Sequence, residues 1–361
     1  MKLALLTEIP APYRIPLFNA LAERIDFRAL FLARTDPRRP FYEAHEEEWR
    51  FDHRVLGGRQ VRRGGRWIVL THGVGRELRA FRPDAVGVGG WNQPAFWRAL
   101  AYCRTHRVPL LVWVESTLRD ARSESAPLEL AKRLLIRGAS GFFVPGRASA
   151  DYVRSFGVAE DRIELAPNAV DDEIFGRAAV DRTGRKTCRF LYAGRFDAEK
   201  GLDVLLRAFA RSPGELVLAG SGPEEGRLRA LADGRVRFLG PLDRDALAPV
   251  YAEADAFVLP SRSEPWGMVL NEAAAAALPL IATDGVGAAF DLVEDGANGF
   301  RVPVGDEDAL AAALTRLAED EQFRLVAGAR SRELVAAFTP EAWAKGVAGL
   351  ASRAVARRPS G

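Results

Sequence analysis

The sequence predicts an α/β protein made of two doubly wound parallel-sheet domains in series, facing a central cleft. Three observations predict it. Short apolar runs recur along the chain, each followed by a turn signal and a segment with helical spacing, the alternation expected of buried parallel strands covered by helices. The 361 residues, 48% of them hydrophobic, exceed the roughly 250–300 at which a single core stops growing, so two domains are expected. The alternation also completes one cycle by Pro167 and starts a second after it.

The first cycle opens with Lys2–Thr7, an apolar run closed by the proline-rich turn Pro10-Ala11-Pro12 and followed by helical spacing at Leu17, Phe18, Leu21 and Ala22. Phe27–Ala33 reads as a second strand. Thr35–Arg66 reads as an irregular, Arg- and Gly-rich excursion. Ala85–Gly89, Leu110–Val114 and Gly141–Val144 are further strands, flanked by helix-like segments such as Pro94–Thr105 and Pro127–Arg137. In the second cycle the strands are Phe190–Ala193, Glu215–Ala219, Val236–Leu239, Ala256–Leu259 and Leu280–Ala282, with Gly194, Gly220, Gly222, Gly240 and Pro260 at their carboxyl ends. This divides the chain into residues 1–167 and 168–340, with polar Asn168–Lys186 as linker. A terminal helix at about 341–358 is expected to return to the first domain.

Composition narrows the function classes. No apolar run approaches the roughly 20 residues of a membrane span, and Leu3–Leu6 is too short for a signal-peptide core, so a cytosolic protein is expected. Two cysteines, Cys103 and Cys188, fit a reducing compartment and neither a disulfide framework nor a zinc site. The net charge of +3 hides an asymmetry: residues 1–166 carry 27 Lys and Arg against 19 Asp and Glu, leaving 24 against 29 for the rest. Arg59, Arg62, Arg63 and Arg66, interleaved with Trp67, form a basic loop-like stretch suited to anionic head groups or a lipid-linked diphosphate. Peripheral contact with an anionic membrane is therefore expected, and nucleic acid is not.

In open parallel sheets ligands sit at the carboxyl ends of strands, so the loops there are searched for chemistry. Gly194-Arg195-Phe196-Asp197-Ala198-Glu199-Lys200-Gly201 places two cations five positions apart; Arg195 can fork onto phosphate oxygens and Lys200 adds a point charge. Gly220-Ser221-Gly222-Pro223 permits close backbone approach. Phe238-Leu239-Gly240-Pro241 offers a wall for a flat base, with Leu239 on it. In Ser263–Pro279, Pro265 and Gly267 end a strand region and the Met268–Ala277 run starts a helix near Gly267. Glu264 then precedes that helix and Glu272 lies inside it, while the N–H groups of Gly267, Met268 and Val269 point outward, where anions and phosphates bind.

Taken in this order, G-R-F-D-A-E-K-G, G-S-G-P, A-D-A-F-V-L-P-S-R-S-E-P-W-G-M-V-L-N-E and G-A-A-F-D-L-V-E-D-G-A-N-G-F resemble the donor domain of glycosyltransferase family 4, retaining nucleotide-sugar enzymes with two Rossmann-like domains (the GT-B fold). Pro167-Asn168-Ala169-Val170-Asp171 is similar to the family's P-N-G-V-D segment. The resemblance implies that Arg195 and Lys200 hold the donor diphosphate, Glu264 the sugar hydroxyls and Glu272 the ribose. It implies a nucleotide-sugar co-substrate, no other cofactor and no metal, the cations standing in for one. The acceptor is expected to be a sugar or a lipid-linked hydroxyl, in cell-surface polysaccharide or glycolipid synthesis.

The first domain departs from the family pattern. Its first loop reads Pro10-Ala11-Pro12-Tyr13-Arg14 instead of carrying a Gly-Gly pair, and Glu115 of Val114-Glu115-Ser116-Thr117 stands where a histidine would. Glu115 is a candidate catalytic residue able to hydrogen-bond a sugar hydroxyl; a structural role for the same triplet stays open. His45 and His72 are read as surface or loop residues. Asp243-Arg244-Asp245 and Asp306-Glu307-Asp308 look like metal-binding D-x-D signatures, yet each directly precedes a helical run and is expected to cap it. A nonenzymatic donor-binding subunit of a synthase complex and a sugar-nucleotide epimerase of the same fold stay open as alternatives. A nicotinamide dehydrogenase is disfavoured because no G-x-G-x-x-G follows the first strand.

Overall fold

The computed structural model describes residues 1–35, 46–63, 66–119, 126–170 and 172–357. His45 and Asp171 lie outside them, as does part of the 35–66 excursion. The strands are β1 (Lys2–Thr7), β2 (Asp26–Phe31), β3 (Asp52–Val55), β4 (Gly58–Arg63), β5 (Arg66–Thr71), β6 (Ala85–Val88), β7 (Leu110–Trp113), β8 (Gly141–Val144) and β9 (Ile163–Leu165), then β10 (Arg189–Ala193), β11 (Glu215–Ala219), β12 (Val236–Gly240), β13 (Ala256–Leu259), β14 (Leu280–Thr283) and β15 (Gly299–Val302). The helices are α1 (Ile15–Ala22), α2 (Val74–Phe81), α3 (Pro94–His106), α4 (Ala126–Gly138), α5 (Arg147–Arg154), α6 (Asp172–Phe175), α7 (Leu202–Phe209), α8 (Glu225–Leu231), α9 (Arg244–Glu253), α10 (Met268–Ala275), α11 (Ala289–Leu292), α12 (Glu307–Glu319), α13 (Glu321–Val335) and α14 (Pro340–Ala356).

The strands form two Rossmann-like parallel sheets ordered β3-β2-β1-β6-β7-β8-β9 and β12-β11-β10-β13-β14-β15. In each, the order reverses beside the first strand of the sheet, between β1 and β6 and between β10 and β13. At such a point the loops of neighbouring strands diverge and leave a crevice. Leu3–Leu6, Phe142–Val144 and Phe257–Leu259 are almost fully buried, as strands covered on both faces must be.

One expectation needs correction. The excursion before Arg66 is not irregular where it is described: Asp52–Val55 adds a parallel edge strand beside β2, and the basic stretch is an antiparallel β4–β5 hairpin with Arg59 opposite Leu70 and Arg62 opposite Trp67. Polar residues alternate in these strands because one side meets solvent, which hides them from a search for apolar runs. The linker Asn168–Lys186, where it is described, packs against the second domain. Phe175 is buried in the second core, and buried Arg182 donates to the carbonyls of Ala178, Tyr251 and Ala254.

The last helix belongs to the first domain. Trp343 of α14 is fully buried and packs its ring 5.3 Å from Trp113, 5.9 Å from Phe18 and 6.1 Å from Phe143, centroid to centroid. The core of the first domain includes Ala169 and the core of the second begins at Val170.

Candidate active site

The loops after β10 and β13 flank the reversal of the second sheet, and they meet backbone to backbone. A Cβ on Gly201, whose φ is +66°, would lie 2.2 Å from the Pro260 carbonyl oxygen. That contact brings Lys200 to Glu264. The Lys200 ammonium donates to Glu264 Oε2, with Glu199 Oε1 3.8 Å away, and both Lys200 and Glu264 are mostly withdrawn from solvent. Glu264 is fixed through its backbone, its N–H donating to Gly285 O at 2.9 Å and its carbonyl accepting from Gly287 N–H at 2.9 Å. Arg195 is not drawn into this pair. Its side chain is 59% exposed and pairs with Asp197 at 2.5 Å and Glu199 at 3.4 Å. Buried Tyr192 holds the backbone of that loop by donating its hydroxyl to Arg195 O at 2.8 Å.

Gly220 and Gly222 sit where the loop after β11 crosses the loop after β10. A Cβ at Gly220 would lie 1.9 Å from Gly194 O, and one at Gly222 would fall 2.5 Å from Phe196 O. The close approach that these glycines permit is therefore to the chain itself, setting the path of the Gly194–Lys200 loop. Leu239 is partly buried near the end of β12. Beside it, Phe238 carries the Arg229 guanidinium 4.3 Å from its ring centroid.

Gly267 caps α10 with φ +98°, and no side chain caps it, so the N–H groups of Met268 and Val269 open toward the loop that carries Glu264. Glu272 follows one turn on. Tyr251, fully buried in α9, donates its hydroxyl to Glu272 Oε2 at 2.9 Å. Burial pushes the Glu272 carboxyl up to about 7, while Tyr251 and the Arg244 cation pull it back down. A cavity beside it is lined by Tyr13, Ala169, Arg244, Met268 and Glu272 among others, so Glu272 faces the junction of the two domains.

Glu115 follows β7 on the opposite wall. Arg14 reaches its Oε2 at 3.2 Å, donates to Thr7 Oγ1 at 2.8 Å and stacks 4.3 Å over Trp113. Asn168 Nδ2 lies 3.5 Å from Glu115 Oε1. The two departures from the family pattern in the first domain, Arg14 and Glu115, are thus one ion pair. Sequence reasoning named them separately and left Arg14, Asn168, Tyr251 and Asn271 without roles; the available signal was that Asn271 adjoins Glu272 and that Arg14 and Asn168 lie in loops following strands, while Tyr251, inside α9, carried none.

Asp243 and Asp306 cap α9 and α12, accepting from Ala246 N–H at 2.8 Å and Ala309 N–H at 2.9 Å. Among the described residues no group of three or more His, Cys, Asp or Glu side chains could hold a metal ion, and no helix is long and apolar enough to cross a membrane. His72 is exposed in a loop.

Two Rossmann-like domains with polar residues gathered at the reversal of the second sheet and facing a junction with the first define the GT-B class. Comparison with known proteins makes this particular. A family model described as glycosyl transferases group 1 matches residues 187–320, and one described as glycosyltransferase family 4 matches residues 17–174, one in each domain. The chain belongs to this glycosyltransferase family. It is 37% identical over 188 residues to phosphatidyl-myo-inositol mannosyltransferase of Mycolicibacterium smegmatis, covering 49% of this chain and 48% of that protein. It is 30% identical over 285 residues to sulfoquinovosyl transferase SQD2 of Arabidopsis thaliana, covering 74% and 56%. The chain thus spans about half the length of these curated relatives. Among solved structures, Anabaena HepE in complex with UDP and glucose superposes with a TM-score of 0.76 at 20% identity, covering 98% of this chain and 100% of HepE. Sucrose-phosphate synthase from Thermosynechococcus elongatus gives 0.75 at 22%, covering 99% of each chain. These two likenesses carry the fold.

Proposed function

We propose that the chain transfers a sugar from a nucleoside-diphosphate donor to a hydroxyl acceptor, with retention at the anomeric carbon and with no metal ion. The observation that carries this reading is the pair of buried Lys200 with partly buried Glu264 set before the uncapped start of α10. A lysine withdrawn from water beside a helix N-terminus is preorganised for the charge that gathers on a departing diphosphate, and the adjacent carboxylate can orient sugar hydroxyls. Arg195, on the outer side of the same loop, adds a second cation by leaving Asp197 and Glu199. Glu272 accepts from the ribose hydroxyls in this reading, and Leu239 lies against the base. The bond from the anomeric carbon to the diphosphate oxygen breaks, a bond to the acceptor oxygen forms on the same face, and the acceptor proton passes to the leaving phosphate. Glu115 orients a hydroxyl from the opposite wall. HepE was solved with UDP-glucose, which supports a nucleotide sugar as donor here.

The acceptor is a sugar or lipid-linked hydroxyl of a surface polysaccharide or glycolipid. Exposed Arg59 and Arg62 on the β4–β5 hairpin, with Leu70 43% exposed, support peripheral contact with an anionic membrane. The test is nucleoside diphosphate release from a panel of nucleotide sugars, with and without EDTA. Turnover that survives EDTA is expected; a strict requirement for Mg²⁺ or Mn²⁺, or no turnover of any donor, overturns the reading.

A further inference from the structure

A line of hydrogen bonds, buried from Trp266 to Asn168, joins α10 to Glu115 across the domain junction. Trp266 Nε1–H donates to Asn271 Oδ1 at 2.9 Å, and Asn271 Nδ2–H donates to the Asn168 carbonyl at 2.9 Å. Asn168 Nδ2 in turn points to Glu115 Oε1 at 3.5 Å, and Arg14 holds the other oxygen of that carboxylate at 3.2 Å. Trp266, Asn271 and Asn168 are 4%, 0% and 2% exposed. The direction of the line is set by chemistry. An indole can only donate, so it must meet Asn271 Oδ1, and that leaves Asn271 Nδ2 for a carbonyl that can only accept. The Glu115 carboxylate is likewise an acceptor and takes the Asn168 amide and the Arg14 guanidinium, one on each oxygen.

Each end of the line belongs to a different wall of the cleft. Asn271 directly precedes Glu272 in α10, and Trp266 directly precedes the cap residue Gly267. Trp266 Nε1 and both polar atoms of the Asn271 amide are engaged and buried, and groups paired in this way resist a shift, because it leaves a desolvated group without its partner. A shift of Asn168 relative to α10 therefore breaks a buried hydrogen bond, and it moves the Asn168 amide that meets the partly exposed Glu115 carboxylate.

We propose that Asn271 and Asn168 are positioning residues that hold the Glu115 carboxylate at a set distance from the donor helix α10, making the two walls one geometric unit. This rests on the reading of α10 and Glu115 given above. The two asparagines touch neither reactant; they act through Glu115. Their loss moves the rate of transfer and leaves ground-state donor binding in place, because misplacement by about 1 Å can lower a rate on the order of a hundredfold while binding contacts persist.

The experiment is a double-substitution cycle on the full chain. Asn168→Ala, Asn271→Ala, Glu115→Gln and the pair Asn168→Ala with Glu115→Gln are assayed for kcat and KM with the donor that wild type turns over. Binding of uridine, guanosine and adenosine diphosphates is measured by calorimetry, and melting by circular dichroism. Each asparagine variant is expected to lower kcat roughly tenfold with KM and diphosphate affinity within about twofold of wild type. In the Glu115→Gln background, Asn168→Ala is expected to add less than about twofold. Full multiplication of the two losses, an effect confined to KM, or unchanged kcat in a folded variant overturns the proposal. Should the alanine variants fail to fold, Asn168→Ser and Trp266→Phe, which cut the same line more gently, decide by the same criteria. Arg14→Lys, which retains a cation on Glu115, is expected to keep more of kcat than Arg14→Ala; equal losses also count against it. A wild-type chain that turns over no donor overturns the underlying reading and this proposal with it, whereas turnover with additive losses overturns the proposal alone.

Discussion

Replacing Glu272 by glutamine should strengthen the fold and weaken nucleotide binding at the same pH. The carboxyl stands at about 7 in the folded chain against an ordinary value of 4.5, chiefly because burial disfavours its ionised form. A carboxyl whose folded value is raised contributes stability that is fully present below about 4.5 and is lost as pH rises through about 7. At roughly 1.4 kcal/mol per pH unit the loss amounts to about 3 kcal/mol at most, and side-chain access to the cavity brings it nearer to ~1–2. Glutamine never ionises and its carbonyl still accepts from the Tyr251 hydroxyl, so Glu272→Gln escapes the loss. Urea unfolding should find the variant more stable than wild type by about 1–2 kcal/mol at pH 8 and much less so at pH 5. Calorimetry at pH 8 should find nucleoside diphosphate bound roughly tenfold more weakly, because a neutral amide replaces the charged acceptor offered to ribose. An equal stability difference at both pH values, or a variant less stable at pH 8, would refute the reasoning about burial. Unchanged nucleotide affinity would refute the ribose assignment alone.

Four more outcomes follow from the structure. Lys200→Met should lower nucleoside diphosphate release by a factor equivalent to about 2–4 kcal/mol, the scale for one preorganised charge, and steady-state kinetics with a loss under threefold would remove Lys200 from the mechanism. Glu264→Ala should slow transfer while leaving free diphosphate affinity nearly intact; calorimetry showing the same loss as Glu272→Gln would mean that the two glutamates do not divide sugar from ribose. Trp343→Ala should cost about 3–5 kcal/mol in denaturant unfolding, since it empties a site packed by Phe18, Trp113 and Phe143, and a cost below about 1 kcal/mol would mean that α14 does not complete the first core. Replacing Arg59, Arg62, Arg63 and Arg66 by glutamine should reduce sedimentation with anionic liposomes at low salt, an attraction that high salt should abolish in wild type; liposomes ignored by wild type at low salt would leave the hairpin as a solvated face.

What was legible in the sequence depended on how many faces of an element are buried. Gly141–Val144, Glu215–Ala219 and Ala256–Leu259 were read with their observed bounds because strands covered on both faces are continuously apolar and end at turn residues. Asp52–Val55 and Gly58–Arg63 were lost because their arginines and aspartate meet water on one side, and Ile163–Leu165 and Gly299–Val302 because these short edge strands are only partly buried and so lack a continuous apolar run. The candidate site was legible where chain order alone placed a residue after a strand, as for Lys200, Glu264 and Glu272. Contacts between residues far apart in the chain left no local signal. Nothing near Asn271 announces that its partner is Asn168, 103 residues away, and nothing near Gly220 announces that its neighbour is Gly194.

The division of the cores explains why polar contacts, and not apolar packing, set the geometry of the cleft. Each domain closes its own core: the chain leaves the first core at Ala169, enters the second at Val170, and crosses back before α14, whose Trp343 rejoins the first. The two crossings are tied by Val170 N–H donating to Phe338 O at 3.4 Å. Away from them, the walls touch through Arg119 with Asp284 and through Asp291, whose carboxylate accepts from the Arg147 N–H at 3.0 Å and so caps α5 from the opposite domain. A Cβ on Gly146 would lie 2.2 Å from Asp291 Oδ2 and 2.6 Å from Trp266, so the closed contact tolerates no side chain there. Exposed pairs such as Arg119–Asp284 contribute roughly 0–1 kcal/mol, and separating polar surfaces gives their groups back to water. Opening the cleft therefore disturbs neither hydrophobic core. The buried Trp266–Asn271–Asn168 stretch has no such exchange with water, so it ties the donor helix to Asn168, the residue whose amide meets Glu115, more firmly than the charges at the rim do.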